Sequence, residues 1–332
     1  MEYLIAPWQH QLKAIEEFKK RNFYALFFDM GTGKTSTAIN MLRHKCAKHG
    51  RQLKTIIFTP LITCENWKRE FKTHSRLKNV HILDGSQKER LKKFKEAGDK
   101  PHIFITNHEA LAVMKDLIYE IHLWRPEFLI VDESHRFKEM ASKRTKELVK
   151  LADTIEYKLI LTGTPILNSP LDIFAQFRIL CCGFPEEYGF ERNFYSFRAR
   201  YFYDKNSGMP SHVHFPDWQI RPESFKAINE KIYKHAMRVT KEECLDLPDE
   251  LEEIFEVDMT DEQRKHYDAM RDEFITYVES EACVSQLAIT KALRLQQIAS
   301  GFIKLENGEV IRFKKTPVSY THLRAHETVL DL

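Results

Sequence analysis

Six short apolar runs, each closed by a polar or glycine-bearing turn, constrain this sequence more than any other feature. They occupy residues 23–28, 55–58, 80–83, 102–105, 128–131 and 159–161. Between them, apolar residues recur at helical spacing: Trp8, Leu12 and Ile15 share one face, and Ala38, Leu42 and Cys46 another. A run that is apolar on both faces needs cover on both, and helices alternating with strands supply it. The pattern predicts an α/β fold, a mostly parallel sheet with helices on both faces. The turns that close the runs are Gly31-Thr32-Gly33, Thr59-Pro60, Thr106-Asn107, Asp132-Glu133 and Thr162-Gly163-Thr164-Pro165. All fall at the carboxyl ends of the expected strands, where ligands bind in open α/β sheets.

The 332 residues suffice for one large core or two smaller ones. No stretch reaches the roughly eighteen apolar residues that a membrane span needs, so no membrane partner is expected. Residues 1–8 lack a charged segment followed by an apolar one, so no secretion signal is read there. The cysteines at 46, 64, 181, 182, 244 and 283 form no CxxC pair, which suits reduced thiols in a cytoplasmic protein rather than a disulfide framework or a structural metal. Net charge is +3 overall, but residues 1–100 carry +11 and the remainder −8. A basic first third fits a polyanionic partner. It fits equally a solvated basic face, for example Lys88, Arg90, Lys92, Lys93 and Lys95 around Leu91 and Phe94.

After about residue 182 the texture changes. Residues 184–218 hold eleven aromatics, among them Phe194, Tyr195, Phe197, Tyr201, Phe202 and Tyr203. They could stack unpaired bases, but such a block more often forms the core of a helical insertion. Helical patterns follow: Phe225, Ile228 and Ile232 share a face, as do Tyr267, Met270, Phe274 and Tyr277. Thr260 and Gln263 have the spacing of a capping box, and Gly301 suits the end of a further helix.

Two of the turns carry recognisable chemistry. In Asp29-Met30-Gly31-Thr32-Gly33-Lys34-Thr35, glycines let the backbone close on phosphates, Lys34 can reach the β- and γ-phosphates, and the Thr35 hydroxyl can ligate Mg²⁺. The strict pattern GxxxxGK[ST] fails because Phe28 stands where glycine is required. In Asp132-Glu133-Ser134-His135, an apolar strand ends in two carboxylates. Asp132 suits Mg²⁺, and Glu133 suits the positioning of an attacking water. At Thr162-Gly163-Thr164, the hydroxyls could sense Mg²⁺-bound water or the γ-phosphate, or could equally cap the next helix. Trp67 reads as packing.

Taken in order, these segments resemble the first motor lobe of superfamily two helicases, nearest the Swi/Snf-like DNA translocases. The likeness covers about residues 5–303. Pro7 to Gln11 resembles the adenine-reading Q motif, and 29–35 resembles motif I, though the family's D-E-M-G has lost its glutamate here. Phe58 to Glu70 resembles motif Ia, Ile105 to Leu111 motif Ib, Asp132 to His135 motif II, and Thr162 to Asn168 motif III. Arg238 to Pro248, Val257 to Tyr267 and Leu293 to Gly301 resemble the family's helical connector.

The resemblance implies a P-loop, RecA-like lobe over 1–182, a helical insertion and connector over 183–315, and ATP with Mg²⁺ as ligands. Gln11, Met30, Gly31, Thr32, Gly33, Lys34 and Thr35 would bind the nucleotide, with Gln11 on the adenine. Thr35 and Asp132 would hold Mg²⁺, and Lys34, Asp132 and Glu133 would carry hydrolysis. His135, Thr162, Gly163 and Thr164 would couple it to motion. Thr59, Pro60, Thr106 and Asn107 would meet a DNA duplex backbone, a salt-sensitive and sequence-independent contact.

A second RecA-like lobe with motifs IV to VI is not found in the sequence. Residues 316–332 (SYTHLRAHET within them) resemble translated sequencing-adapter sequence and are expected to be non-native. An arginine finger from a second lobe is worth about 10³–10⁵ in rate, so weak ATP turnover is expected of this chain alone. The implied protein is a monomeric, cytoplasmic, nucleoid-associated ATPase of bacterial or phage origin. Two other readings stay open: an ATP-gated DNA-binding module without motor activity, and a small-molecule kinase, which leaves motifs Ia and III unexplained.

Overall fold

Phe23–Phe28 (FYALFF) can hide both faces only inside a sheet, and all six residues are buried. The computed structural model describes residues 3–98, 100–166, 169–181, 190–191, 193–208, 215–244, 258–279, 285–304 and 310–313. The sequence readings at Leu167, Asn168, residues 245–257 and the 316–332 tail lie outside these.

The strands are β1 (Phe23–Phe28), β2 (Thr55–Thr59), β3 (Val80–Ile82), β4 (Ile103–Asn107), β5 (Phe128–Asp132), β6 (Tyr157–Leu161), β7 (Phe202–Asp204), β8 (Trp218–Ile220), β9 (Ala236–Val239), β10 (Phe302–Lys304) and β11 (Val310–Arg312). The helices are α1 (Gln9–Lys19), α2 (Lys34–His49), α3 (Cys64–His74), α4 (Gln87–Ala97), α5 (Ala110–Val113), α6 (Lys115–Trp124), α7 (Lys143–Ala152), α8 (Asp172–Leu180), α9 (Phe194–Tyr201), α10 (Phe225–Tyr233), α11 (Lys241–Cys244), α12 (Asp261–Glu279) and α13 (Ser285–Ala299).

The main sheet has the order β3-β4-β2-β5-β6-β1-β9, and its pairings are parallel throughout. Side chains alternate between the two faces of each strand, and two separate cores result. On one face Tyr24, Leu26, Phe28, Ile57, Ile105, Ile130 and Leu159 meet Ile15 and Phe18 of α1, Leu42 of α2, and Trp67 and Phe71 of α3. On the other Phe23, Phe27, Phe58, Phe104, Leu129 and Ile160 meet Ile121 and Trp124 of α6, Leu148 of α7, and Phe174 and Phe177 of α8. The α/β expectation holds.

One element departs from it. β9 lies beyond residue 182, in the stretch read as connector, yet it pairs with β1 from Ala25↔Ala236 to Phe28↔Val239. Four residues interrupted by Arg238 give almost no strand signal; the site opposite β1 selects them. The chain divides into compact units at 247/248 rather than at 182. The aromatic block is mostly core: Phe190, Phe197, Tyr201 and Phe202 are buried with Phe174 and Phe177. Tyr195 and Phe215 stay exposed.

In the second unit, α12 opens on the expected capping box. Thr260 N donates to Gln263 Oε1 (3.2 Å), and Gln263 N donates to Thr260 Oγ1 (3.4 Å). α13 ends before Gly301, whose φ of +91° is left-handed, and β10 and β11 form an antiparallel hairpin. Among the described residues no helix is long and apolar enough to cross a membrane.

Candidate nucleotide site at the carboxyl ends of the sheet

β1 runs into the 29–33 loop and then into α2. Gly31 and Gly33 take φ of +86° and +82°, values that residues with a Cβ resist. At Gly33 a Cβ would also collide with Gln11 Nε2. The loop is braced from behind: His10 Nε2 donates to Thr32 O (2.9 Å) and Thr32 Oγ1 to Asp29 O (2.8 Å). Gln11 is buried, accepts from Trp8 N (2.9 Å) and turns its amide to Thr32 O (3.4 Å). The expected adenine contact therefore sits under the loop as a support. Met30 stands on the crest, 74% exposed.

α2 starts at Gly33 with no side-chain cap. The N–H groups of its first turn have no partner within the helix and carry the positive end of its dipole. Lys34 Nζ donates to Phe28 O (2.7 Å) and Asp29 O (3.1 Å). Burial lowers its ammonium pKa, against the raising effect of Glu133, Asp132 and Asp29. Thr35 follows, half-buried at the same helix end.

Asp132 ends β5 and is only 7% exposed. Its Oδ2 accepts from Thr59 Oγ1 and Trp67 Nε1, both at 2.9 Å, and its Oδ1 from Glu133 N at 3.0 Å. Burial raises its pKa, while the Trp67 and Thr59 donors pull it back. Its carbonyl accepts from His108 Nε2 (2.8 Å), a ring that burial keeps neutral with a pKa lowered to about 4.

Glu133 takes φ +47°, an unusual backbone state for a residue with a Cβ and one that gathers at functional sites. Its Oε2 lies 3.2 Å from His135 Nδ1. The hydrogen bond with His135 and the charge of Lys34 hold its pKa below the ordinary glutamate value, despite burial. His135 Nδ1 is 2.9 Å from Thr162 Oγ1, which also accepts from Thr164 N (3.1 Å). Thr162 thus meets the 132–135 turn rather than capping a helix. Gly163 sits so close to β1 that a Cβ would lie 3.2 Å from Phe28 O and 3.7 Å from Lys34 Nζ.

The structure brings together Lys34, Asp132, Glu133, His135, Thr162 and Gly163. It places Thr59, Pro60, Thr106 and Asn107 at the ends of β2 and β4, but all four are buried. Thr59 is spent on Asp132 and on Thr63 Oγ1 (2.6 Å). Thr106 and Asn107 accept from the Arg90 guanidinium, which also donates through Nε to Gly85 O (2.8 Å). Arg90 is 5% exposed and leaves the basic surface assigned to it above.

Three residues of the site escape sequence reasoning: Trp67, Arg90 and Gln176. Gln176, wholly buried in α8, accepts from Ser134 Oγ (2.7 Å) and donates to Pro165 O (2.6 Å), joining the 132–135 and 162–165 turns. A polar side chain between Phe174 and Phe177 is the only hint the sequence offers.

A profile of the SNF2-related domain matches residues 15–302. The chain is 26% identical over 309 residues to protein p41 of Acyrthosiphon pisum secondary endosymbiont phage 1, covering 90% of this chain and 64% of that protein. Against chromodomain-helicase-DNA-binding protein 6 of Homo sapiens it is 26% identical over 294 residues, 84% of this chain and 9% of that one. The fold matches the Sulfolobus solfataricus SWI2/SNF2 ATPase core in complex with dsDNA at a TM-score of 0.59 and 20% identity, covering 99% of this chain and 65% of that chain. The chain thus spans less than two thirds of these relatives. With the motifs in order and the profile running across most of its length, the chain belongs to the SNF2-related domain family, the Swi/Snf-like branch of superfamily two.

Proposed function

We propose that this chain binds ATP with Mg²⁺ at the carboxyl ends of β1, β5 and β6, and that in the complete protein hydrolysis there drives movement along duplex DNA. The observation that carries the reading is the convergence of Lys34, Asp132 and Glu133 from two separate turns, which close β1 and β5 on either side of β6 at the same end of the sheet.

The donor set suits the ligands. Phosphates would lie over the uncapped first turn of α2, where Lys34 exchanges Phe28 O and Asp29 O for β- and γ-phosphate oxygens. The Asp132 carboxylate and Thr35 hydroxyl are hard oxygen donors of the kind Mg²⁺ accepts alongside phosphate. Bound there, Mg²⁺ would neutralise charge on the β- and γ-phosphates. Glu133 stays ionised at neutral pH because His135 and Lys34 favour its charged form. With Oε2 held by His135, its Oε1 can orient the attacking water and accept its proton. Thr162, touching His135, carries the state of this carboxylate into the 162–165 turn.

A groove of about 910 Å³ is lined by Pro7, Trp8, His10, Lys13 and Arg238 among others, and His10 ties it to the loop at Thr32 O, so the base has room there. The Trp8 ring is 47% exposed there. The basic first third supports a polyanionic partner, and the Sulfolobus SWI2/SNF2 ATPase core is itself in complex with dsDNA. Glu133→Gln tests the assignment: nucleotide binding persists while hydrolysis by the complete protein falls by about 10²–10⁴-fold. Unchanged turnover would remove Glu133 from the role.

A further inference from the structure

The carboxylate proposed for Mg²⁺ is held from a neighbouring strand. Asp132 Oδ2 accepts two hydrogen bonds, one from the Thr59 hydroxyl at the end of β2 and one from the Trp67 indole in α3. Thr59 is itself 2.6 Å from Thr63 Oγ1, and Thr63 Oγ1 donates to Pro60 O (2.9 Å). Both donors therefore hang from one piece of chain: the strand end, the 60–63 turn and the first turns of α3. The donors are buried, Thr59 at 0% and Trp67 at 1%, so neither can touch a ligand itself.

We propose that Thr59 and Trp67 are positioning residues for metal binding: by occupying Oδ2 they leave Asp132 to offer Mg²⁺ only its Oδ1. This rests on the nucleotide reading above. An oxygen with two donors has its lone pairs committed, whereas among the described residues Oδ1 accepts only from the Glu133 N–H. The two donors also stop the carboxylate turning about its own bond. An indole is the fitting donor, since it fills the space between β5 and α3 with apolar ring and spends its single N–H on the acid. The packing role read from sequence is real, as Trp67 also meets Phe71 at 6.2 Å between ring centroids. It accounts for the ring and leaves the indole N–H unexplained.

The test measures binding, not turnover. A fluorescent, non-hydrolysable ATP analogue is titrated onto the full chain in EDTA, and then at rising Mg²⁺, for wild type and for Trp67→Phe, Thr59→Val and Thr59→Ser. Hydrogen bonds to charged groups imply a rise of about tenfold or more in the Mg²⁺ concentration at half-saturation for Trp67→Phe and Thr59→Val. Affinity in EDTA stays unchanged, and Thr59→Ser, which keeps the hydroxyl, behaves as wild type. A merely structural role would lower the unfolding temperature without separating the two titrations. If Trp67→Phe unfolds, the Thr59 pair decides alone. A Mg²⁺ midpoint unmoved or lowered in Thr59→Val overturns the proposal while the nucleotide reading stands. A wild-type chain whose nucleotide binding ignores Mg²⁺ overturns both.

Discussion

The sheet has two halves whose carboxyl ends are built on opposite plans. At the ends of β1, β5 and β6 the polar groups are poised for exchange. Lys34 rests on two backbone carbonyls, and the first turn of α2 is uncapped. Glu133 holds a strained backbone and an ionised carboxylate. At the ends of β2 and β4 the polar groups are already committed: Thr59 to Asp132, and Thr106 and Asn107 to Arg90. Apart from Asp132, which Thr59 and Trp67 hold, the first half rests on an open helix end and backbone carbonyls, while the second uses side chains to hold its turns in shape. A DNA backbone lying over the second half would meet residues outside these three, such as the Leu61-Ile62 crest, 60% and 89% exposed.

The contrast can be broken from its committed side first. Arg90→Met leaves the Thr106 hydroxyl and the Asn107 amide oxygen without their donor in a buried place, and frees the exposed Gly85 carbonyl to water. The expected loss is about 3 kcal/mol of unfolding free energy, read by urea denaturation. A loss under about 1 kcal/mol would mean that these turns hold themselves.

His108 joins the halves, reaching from the end of β4 to the Asp132 carbonyl. Its folded pKa of about 4 lies below the ordinary histidine value, so the unfolded chain takes up the proton first. The stability it contributes is complete above pH ~6.5 and drains away as pH falls toward 4, on the order of 3 kcal/mol. In His108→Gln, thermal unfolding followed from pH 7 to pH 4 should show a correspondingly shallower decline.

On the poised side, Lys34→Ala should barely change the unfolding temperature and should weaken nucleotide binding about 100-fold, measured by fluorescence titration. Equal nucleotide affinity in that variant would end the phosphate assignment. The smallest effect is expected at the crest: Ile62→Ser should alter stability by less than about 0.5 kcal/mol and leave nucleotide affinity as it was. Any change there belongs to duplex binding.

What could be read from the sequence follows from the range over which its signals act. The six apolar runs announced a parallel sheet because strands covered on both faces have no polar side to show. Thr260–Gln263 and Gly301 announced helix ends because caps are local chemistry. That Lys34, Asp132 and Glu133 gather at one end of the sheet was legible because each sits in a turn that closes an apolar run, and strand ends of a parallel sheet share one edge. Arg90 was not, because a basic residue on a charged helix suits an ordinary surface position, and Trp67 and Gln176 were not, because their partners Asp132 and Ser134 are far away in sequence. β9 was missed for the same reason: its strand character comes from β1, not from Ala-Met-Arg-Val itself.

That seventh strand bears on how the protein can be handled. The chain leaves the sheet at β6, wanders through the aromatic insertion and returns to seal β1, where Asp29 N donates to Val239 O and Lys241 N to Asp29 Oδ2. A piece ending at residue 182 would contain every motif from 7 to 166, yet it would expose Phe-Tyr-Ala-Leu-Phe-Phe as a bare edge. Such edges recruit other chains and aggregate. The smallest soluble version of this lobe therefore has to extend through β9, and insertions in the intervening excursion should be tolerated so long as its two ends still reach the sheet.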